Sequence, residues 1–144
     1  MNQYPSCFPD DFEQNILPKG ANYSEKAVYR VMKKGYIDRE GFISTYEEIK
    51  RGLIPPGNKL TDLKDPSLYS TSCNVELSDA QYILGLLSGH HPTSVIAQGT
   101  IHPQCGPWQL TSERTGGTNS HVDWWVYDKS NPQTYFREVN ENET

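Results

Sequence analysis

Apolar and polar positions change their period along the chain, and the changes mark its elements. In KAVYRVM (residues 26–32), Val28, Tyr29 and Val31 favour a strand, although Ser24 is also placed to cap a helix there. We take the strand reading. Phe42 and Ile43 follow Gly41, and Ser44 or Thr45 then opens a short helix that Gly52 closes. Each of the two has a glutamate three residues on, Glu47 or Glu48, which is the capping-box spacing. The clearest helical period covers residues 78–88, where Ala80, Ile83, Leu84 and Leu87 form one apolar face. Ser78 is the expected N-cap, Gln81 completes the box, Leu77 and Tyr82 sit at staple positions, and Gly89 stops the helix. LYSTSCNVE before it and Thr93 to Ile101 after it read as strands. Strand, helix, strand suggests a crossover unit with the two strands parallel.

The last third is strand-rich. Trp108 to Thr111 and His121 to Tyr127 flank Thr115-Gly116-Gly117-Thr118-Asn119 and predict a hairpin, with Arg114 in its solvated loop. Gln133 to Val139 reads as a final strand. Residues 1–23 contain Pro5, Pro9, Pro18 and Gly20 and show little periodicity, so they predict an extended arm pinned by Phe8, Phe12, Ile16 and Leu17. Residues 53–67 form a long connection rich in Pro, Gly and Asp, of the kind found in binding loops or mobile segments. The expected organisation is therefore an arm (1–23), a single α+β domain (24–139) with a mixed, largely antiparallel sheet and a few flanking helices, and a polar acidic tail (140–144).

Composition narrows the function classes. At 144 residues the chain has the common size of one domain, and 35 % hydrophobic with 11 % aromatic residues suffices for a core. The net charge of −5, with Lys33-Lys34 as the longest basic stretch, argues against a nucleic-acid partner. The N-terminal MNQYPSCFPDDFEQN lacks a basic region and an apolar core, and no apolar run reaches bilayer length, so a cytoplasmic, non-membrane protein is expected. Cys7, Cys73 and Cys105 are odd in number and widely spaced, which predicts free thiols, with Cys73 buried on its strand.

The densest chemistry lies in His121-Val-Asp-Trp-Trp-Val-Tyr127. Strand alternation puts Val122, Trp124 and Val126 on one face and His121, Asp123, Trp125 and Tyr127 on the other. A carboxylate two residues from an imidazole on one face can hold it in one tautomer, as a general base requires. The bland reading is a core strand that satisfies its own polar groups. Under the first reading, Asp123→Asn uncouples His121 and leaves the fold intact. His102-Pro-Gln-Cys105 has a metal-usable spacing, and His90, His91 and His121 could complete a set, but with one clear ligand pair no metal is expected. Cys105 with His121 and Asp123 would make a thiol nucleophile, yet nothing near Cys105 suggests a depressed pKa. No phosphate-binding GxxxxGK[ST] loop is present.

Two segments carry a resemblance. Val28-Tyr29-Arg30 resembles the arginine-bearing first strand, and Tyr69-Ser70-Thr71-Ser72 the Ser-Thr-Ser strand, of the arginine–serine–glutamate class of ADP-ribosyltransferases. They stand in that family's order, with the helix at 78–88 after the second. The resemblance implies a split, mixed sheet with flanking helices and NAD as the bound nucleotide. It also implies that Arg30 holds the phosphates and that Ser70 and Thr71 support the nicotinamide pocket. Arginine is independently suited to bidentate diphosphate recognition. The family's late glutamate has no clear counterpart: Glu141-Asn142-Glu143 has the spacing but lies in the tail, Glu113 lacks its partner, and Asp123 is an aspartate beside a histidine. His121 and Asp123 are then the catalytic candidates. The expectation is an NAD-binding enzyme that transfers ADP-ribose or cleaves NAD. The alternative is a non-enzymatic protein-interaction module with an aromatic-rich sheet. In the first, Arg30, Ser70 and His121 converge on one concave pocket; in the second they disperse and an exposed apolar patch stands out.

Overall fold

The β-branched and aromatic segment Lys26–Met32 forms strand β1, the centre of a six-stranded sheet in the computed structural model, which describes residues 3–139. The other strands are β2 (Thr71–Asn74), β3 (Val95–Ile101), β4 (Trp108–Leu110), β5 (His121–Trp124) and β6 (Phe136–Glu138). Three helices, α1 (Thr45–Lys50), α2 (Leu77–Leu87) and α3 (Ser112–Thr115), complete an α+β fold together with several single helical turns. The order across the sheet is β4-β5-β2-β1-β3-β6, and every neighbouring pair is antiparallel. Strands β2 and β3 run the same way, as a crossover requires, but they are not neighbours. The earlier strand β1 lies between them and pairs antiparallel with both.

Alternation sorts the side chains into two cores. Val28, Met32, Cys73, Ala97, Ile101, Val122 and Trp124 share one face of the sheet and bury Phe42 against it. Trp124 meets Phe42 edge-on at 5.8 Å and stacks on Phe136 at 6.0 Å. A second cluster joins Trp125, Tyr46, Leu68 and Tyr69 to Tyr4, Phe8, Phe12, Ile16 and Leu17. The N-terminal segment is thus not extended throughout. Phe12–Ile16 is a single π-helical turn, closed by Leu17 N–H on Phe12 O at 2.8 Å. Burying each such aromatic contributes about 1.5–3 kcal/mol, which outweighs the poor propensity of this Pro-rich stretch.

Helix α1 is capped by Ser44, whose Oγ accepts from Glu47 N–H at 3.1 Å, and Gly52 ends it with φ +74°. Helix α2 starts one residue before the expected Ser78 cap, and Glu76 at its cap position offers no side-chain bond. Ser120 does that work from the loop before β5: its Oγ accepts from Glu76 N–H (3.0 Å) and donates to Asp79 (2.6 Å). Tyr82 is 68 % exposed, so no staple forms. The apolar face of α2 turns towards β1, β2 and β3, but only Ala80 is fully buried; Ile83, Leu84 and Leu87 remain half-buried, with Ile83 and Leu87 forming the wall of a cleft. The connection 53–67 is pinned rather than loose, by Tyr69 Oη–H on Leu63 O (2.7 Å) and Trp125 Nε1–H on Pro66 O (2.9 Å). All three cysteines are free, with Cys73 and Cys105 buried. Among the described residues no helix is long and apolar enough to cross a membrane. The expected acidic tail lies outside the described residues.

Candidate functional site

Strands β1 and β2 are in register only at Tyr29 and Asn74. Beyond that pair the sheet splits, and Arg30 replaces the missing backbone ladder: its Nη1–H donates to Ser72 O (2.6 Å) and its Nε–H to Gly41 O (2.9 Å). A cleft of about 220 Å³ opens at the split. Arg30, Ser70, Thr71, Ser72, Asn74 and His121 line its sheet side, Glu48 its α1 side and Ile83 its α2 side. The four candidates Arg30, Ser70, Thr71 and His121 therefore meet at one cavity. Two of the hydroxyls are already engaged: Thr71 donates to Phe42 O (2.7 Å) and Ser70 to Asp123 Oδ1 (2.5 Å).

Asp123 stands behind the cleft rather than in it. The β2–β5 register sets Asn74 opposite His121 and Ser72 opposite Asp123, and the β4–β5 register adds Gln109 opposite Asp123. The carboxylate is 0 % exposed. Its Oδ2 accepts from Arg114 Nη2–H (2.6 Å), Thr111 Oγ1–H (2.8 Å) and Ser67 Oγ–H (3.1 Å). Burial opposes the charge, but the bonds from Ser70, Arg114 and Thr111 outweigh it and hold the carboxyl below the usual carboxylate range.

Arg114 is not solvated. The hairpin loop folds into α3, which turns the side chain back onto the sheet, where it is 19 % exposed. Gln109 Oε1 takes a second guanidinium bond at 2.7 Å, and the guanidinium lies 5.7 Å from the centre of the Trp125 ring. A carboxylate buried this deeply is stabilised by a cation beside it, and Arg114 of this loop supplies it.

Thr111 links the two catalytic candidates. Its Oγ1 lies 2.5 Å from His121 Nδ1 and 2.8 Å from Asp123 Oδ2. A carboxylate only accepts, so the single threonine proton goes to Asp123, and the imidazole contact must be an Nδ1–H donated to Thr111. This tautomer leaves Nε2 with a lone pair, on a ring that lines the cleft. Burial lowers the pKa of His121; Asp123 pulls the other way, while Arg114 and Arg30 add to the lowering. Asp123 is largely neutralised by Arg114, so burial wins. The result is a neutral histidine at pH 7, with one nitrogen tethered and the other available as a base.

The remaining candidates disperse. His102 pairs with Glu25 (3.0 Å) and packs on Tyr135, and among the described residues no group of three metal-ligating side chains forms. Cys105 belongs to the first core, and burial pushes its thiol pKa up, the wrong direction for a nucleophile. Trp108, Trp124 and Trp125 are buried, so the aromatic sheet offers no tryptophan surface. Sequence reasoning missed Thr111, Ser67, Arg114 and Glu48. Thr111 alone had a signal, as the hairpin residue nearest His121. Compared with protein-family models, curated proteins and solved structures, the chain matches none.

Proposed function

We propose that the cleft at the β1–β2 split is the reaction site of an enzyme acting on a nucleotide, NAD, by ADP-ribosyl transfer or NAD cleavage. The observation that carries this reading is the convergence of Arg30, Ser70, Thr71 and His121, far apart in sequence, on one cavity. That cavity holds the nicotinamide end, and the rest of the dinucleotide lies along its mouth. Ser72 and Asn74 offer polar groups to the carboxamide. Lys33, on the same wall, and the guanidinium edge of Arg30 not spent on carbonyls face the diphosphate. His121 Nε2 takes a proton from the attacking water or acceptor hydroxyl. The new C–O bond forms at the ribose anomeric carbon as its bond to nicotinamide breaks, and nicotinamide leaves with the electron pair. Thr111 and Asp123 are positioning residues for that base.

Calorimetry and a nicotinamide-release assay test this. His121→Ala is expected to keep NAD affinity while turnover falls by about 10²- to 10⁴-fold, the usual worth of a general base. Lys33→Gln is expected to weaken binding. Arg30→Ala is a poorer test, because that guanidinium also holds two backbone carbonyls. No NAD binding to the parent protein, or undiminished turnover in His121→Ala, overturns the reading.

A further inference from the structure

Among the described residues that line the cleft at the β1–β2 split, Glu48 is the only carboxylate. The acids around it are already engaged. Asp123 is bonded to Arg114, and Glu40 and Glu47 both pair with Arg51. The Glu48 side chain makes no hydrogen bond and no ion pair among the described residues. It stands on α1, a short helix fixed by its Ser44 cap and by the burial of Tyr46 and Glu47. The cleft therefore carries one unpaired negative charge on a held wall.

A count of charges says what Glu48 is for. A nicotinamide dinucleotide carries two negative charges on its diphosphate, and only its oxidised form carries a positive charge on the ring. Arg30 and Lys33 answer the diphosphate, which leaves Glu48 to answer the ring. Burial keeps His121 neutral, and Arg114 offsets Asp123, so neither changes the count. Ile43, Ile83 and Leu87 supply the apolar part of the lining and displace water from whatever enters. A cationic ring stripped of water costs free energy unless an opposite charge stands beside it. The reduced ring is neutral and gains nothing from a carboxylate.

We propose that Glu48 is a specificity-determining residue, which selects NAD over NADH by holding the cationic nicotinamide ring at the α1 wall of the cleft. The inference rests on the nucleotide reading and adds to it the redox form of the substrate. The selection suits the reaction, because it is the cationic ring that takes up the bonding electron pair and leaves as neutral nicotinamide. Glu48 also acts on Arg30, and through it on the diphosphate. That effect is common to both redox forms, so the ratio of their affinities isolates the ring.

The test is calorimetry of the full chain with NAD and with NADH. It is run in His121→Ala, which keeps NAD intact during the titration, with and without Glu48→Gln. The chain that retains Glu48 is expected to bind NAD more tightly than NADH. Glu48→Gln should reduce that preference by about fivefold, chiefly by weakening NAD. The substitution keeps the size of a side chain that bonds to nothing in the fold, and an amide spectrum like that of the parent checks this. Lys33→Gln should weaken both forms alike and leave their ratio unchanged. An unchanged ratio in Glu48→Gln, or equal affinity for NAD and NADH where Glu48 is present, overturns the inference and leaves the nucleotide reading standing. No binding of either form, by this chain or by the parent, overturns the nucleotide reading and the inference with it.

Discussion

Asp123→Asn is expected to lower the unfolding free energy by about 3–5 kcal/mol, measured by urea denaturation at neutral pH. The parent carboxylate is fully buried and takes bonds from Ser70, Thr111, Ser67 and Arg114. The amide accepts fewer of them and leaves the Arg114 charge largely buried without its partner. The effect should depend on acidity. Because the folded carboxyl sits below its unfolded value, the stabilisation is complete above about pH 3.9 and is lost as pH falls through the folded pKa. The parent protein therefore loses this contribution in acid, and the variant, which has none, does not. Adding Arg114→Met to Asp123→Asn should recover part of the loss, since it removes the orphaned charge. The expectation that Asp123→Asn spares the fold came from treating the residue as chemistry alone; its buried network makes it structural as well.

Gly106→Ala is expected to cost about 2–5 kcal/mol, through backbone strain and overpacking together. Gly106 has φ +120°, and a Cβ there would lie 2.0 Å from Trp125 O. That close approach lets the chain beyond β5 keep pairing, with Trp125 N–H on Pro107 O and Tyr127 N–H on Cys105 O, both at 2.9 Å. The consequence reaches the site, because this pairing aims Trp125 at the second core and under the Arg114 guanidinium. Gly85→Ala is the contrast. It lies inside α2 with nothing within 4 Å of the added carbon, and should stabilise by about 0.5–1 kcal/mol.

The period of two in residues 121–127 sends Val122, Trp124 and Val126 to the first core and Trp125 and Tyr127 to the second, although β5 itself ends at Trp124. The period of 3.6 in residues 78–88 finds α2 and its inward face. It overstates the burial of Ile83, Leu84 and Leu87, since periodicity gives direction and not what lies opposite, which here is in part a cleft. The N-terminal segment is buried through Phe8, Phe12, Ile16 and Leu17, the residues expected to pin it, whereas the insertion of β1 between β2 and β3 and the return of Arg114 are long-range events. Each is driven by what remains uncovered or uncompensated once the other elements have packed. Arg30 carries both lessons: its strand could be read from local residues, but its engagement with Gly41 and Ser72 follows from a split that no local pattern encodes.

In the proposed reading His121 is a neutral base, tethered at Nδ1 through Thr111 to Asp123 and free at Nε2. Long-range ¹H–¹⁵N correlation of the imidazole across a pH titration tests it most directly. The structure predicts a protonated Nδ1, an unprotonated Nε2 and a titration below that of an ordinary histidine. Thr111→Val should release the tautomer preference. An Nε2–H tautomer at neutral pH, or a titration at or above the ordinary histidine value near 6.5, would contradict the tether and remove the base from the site.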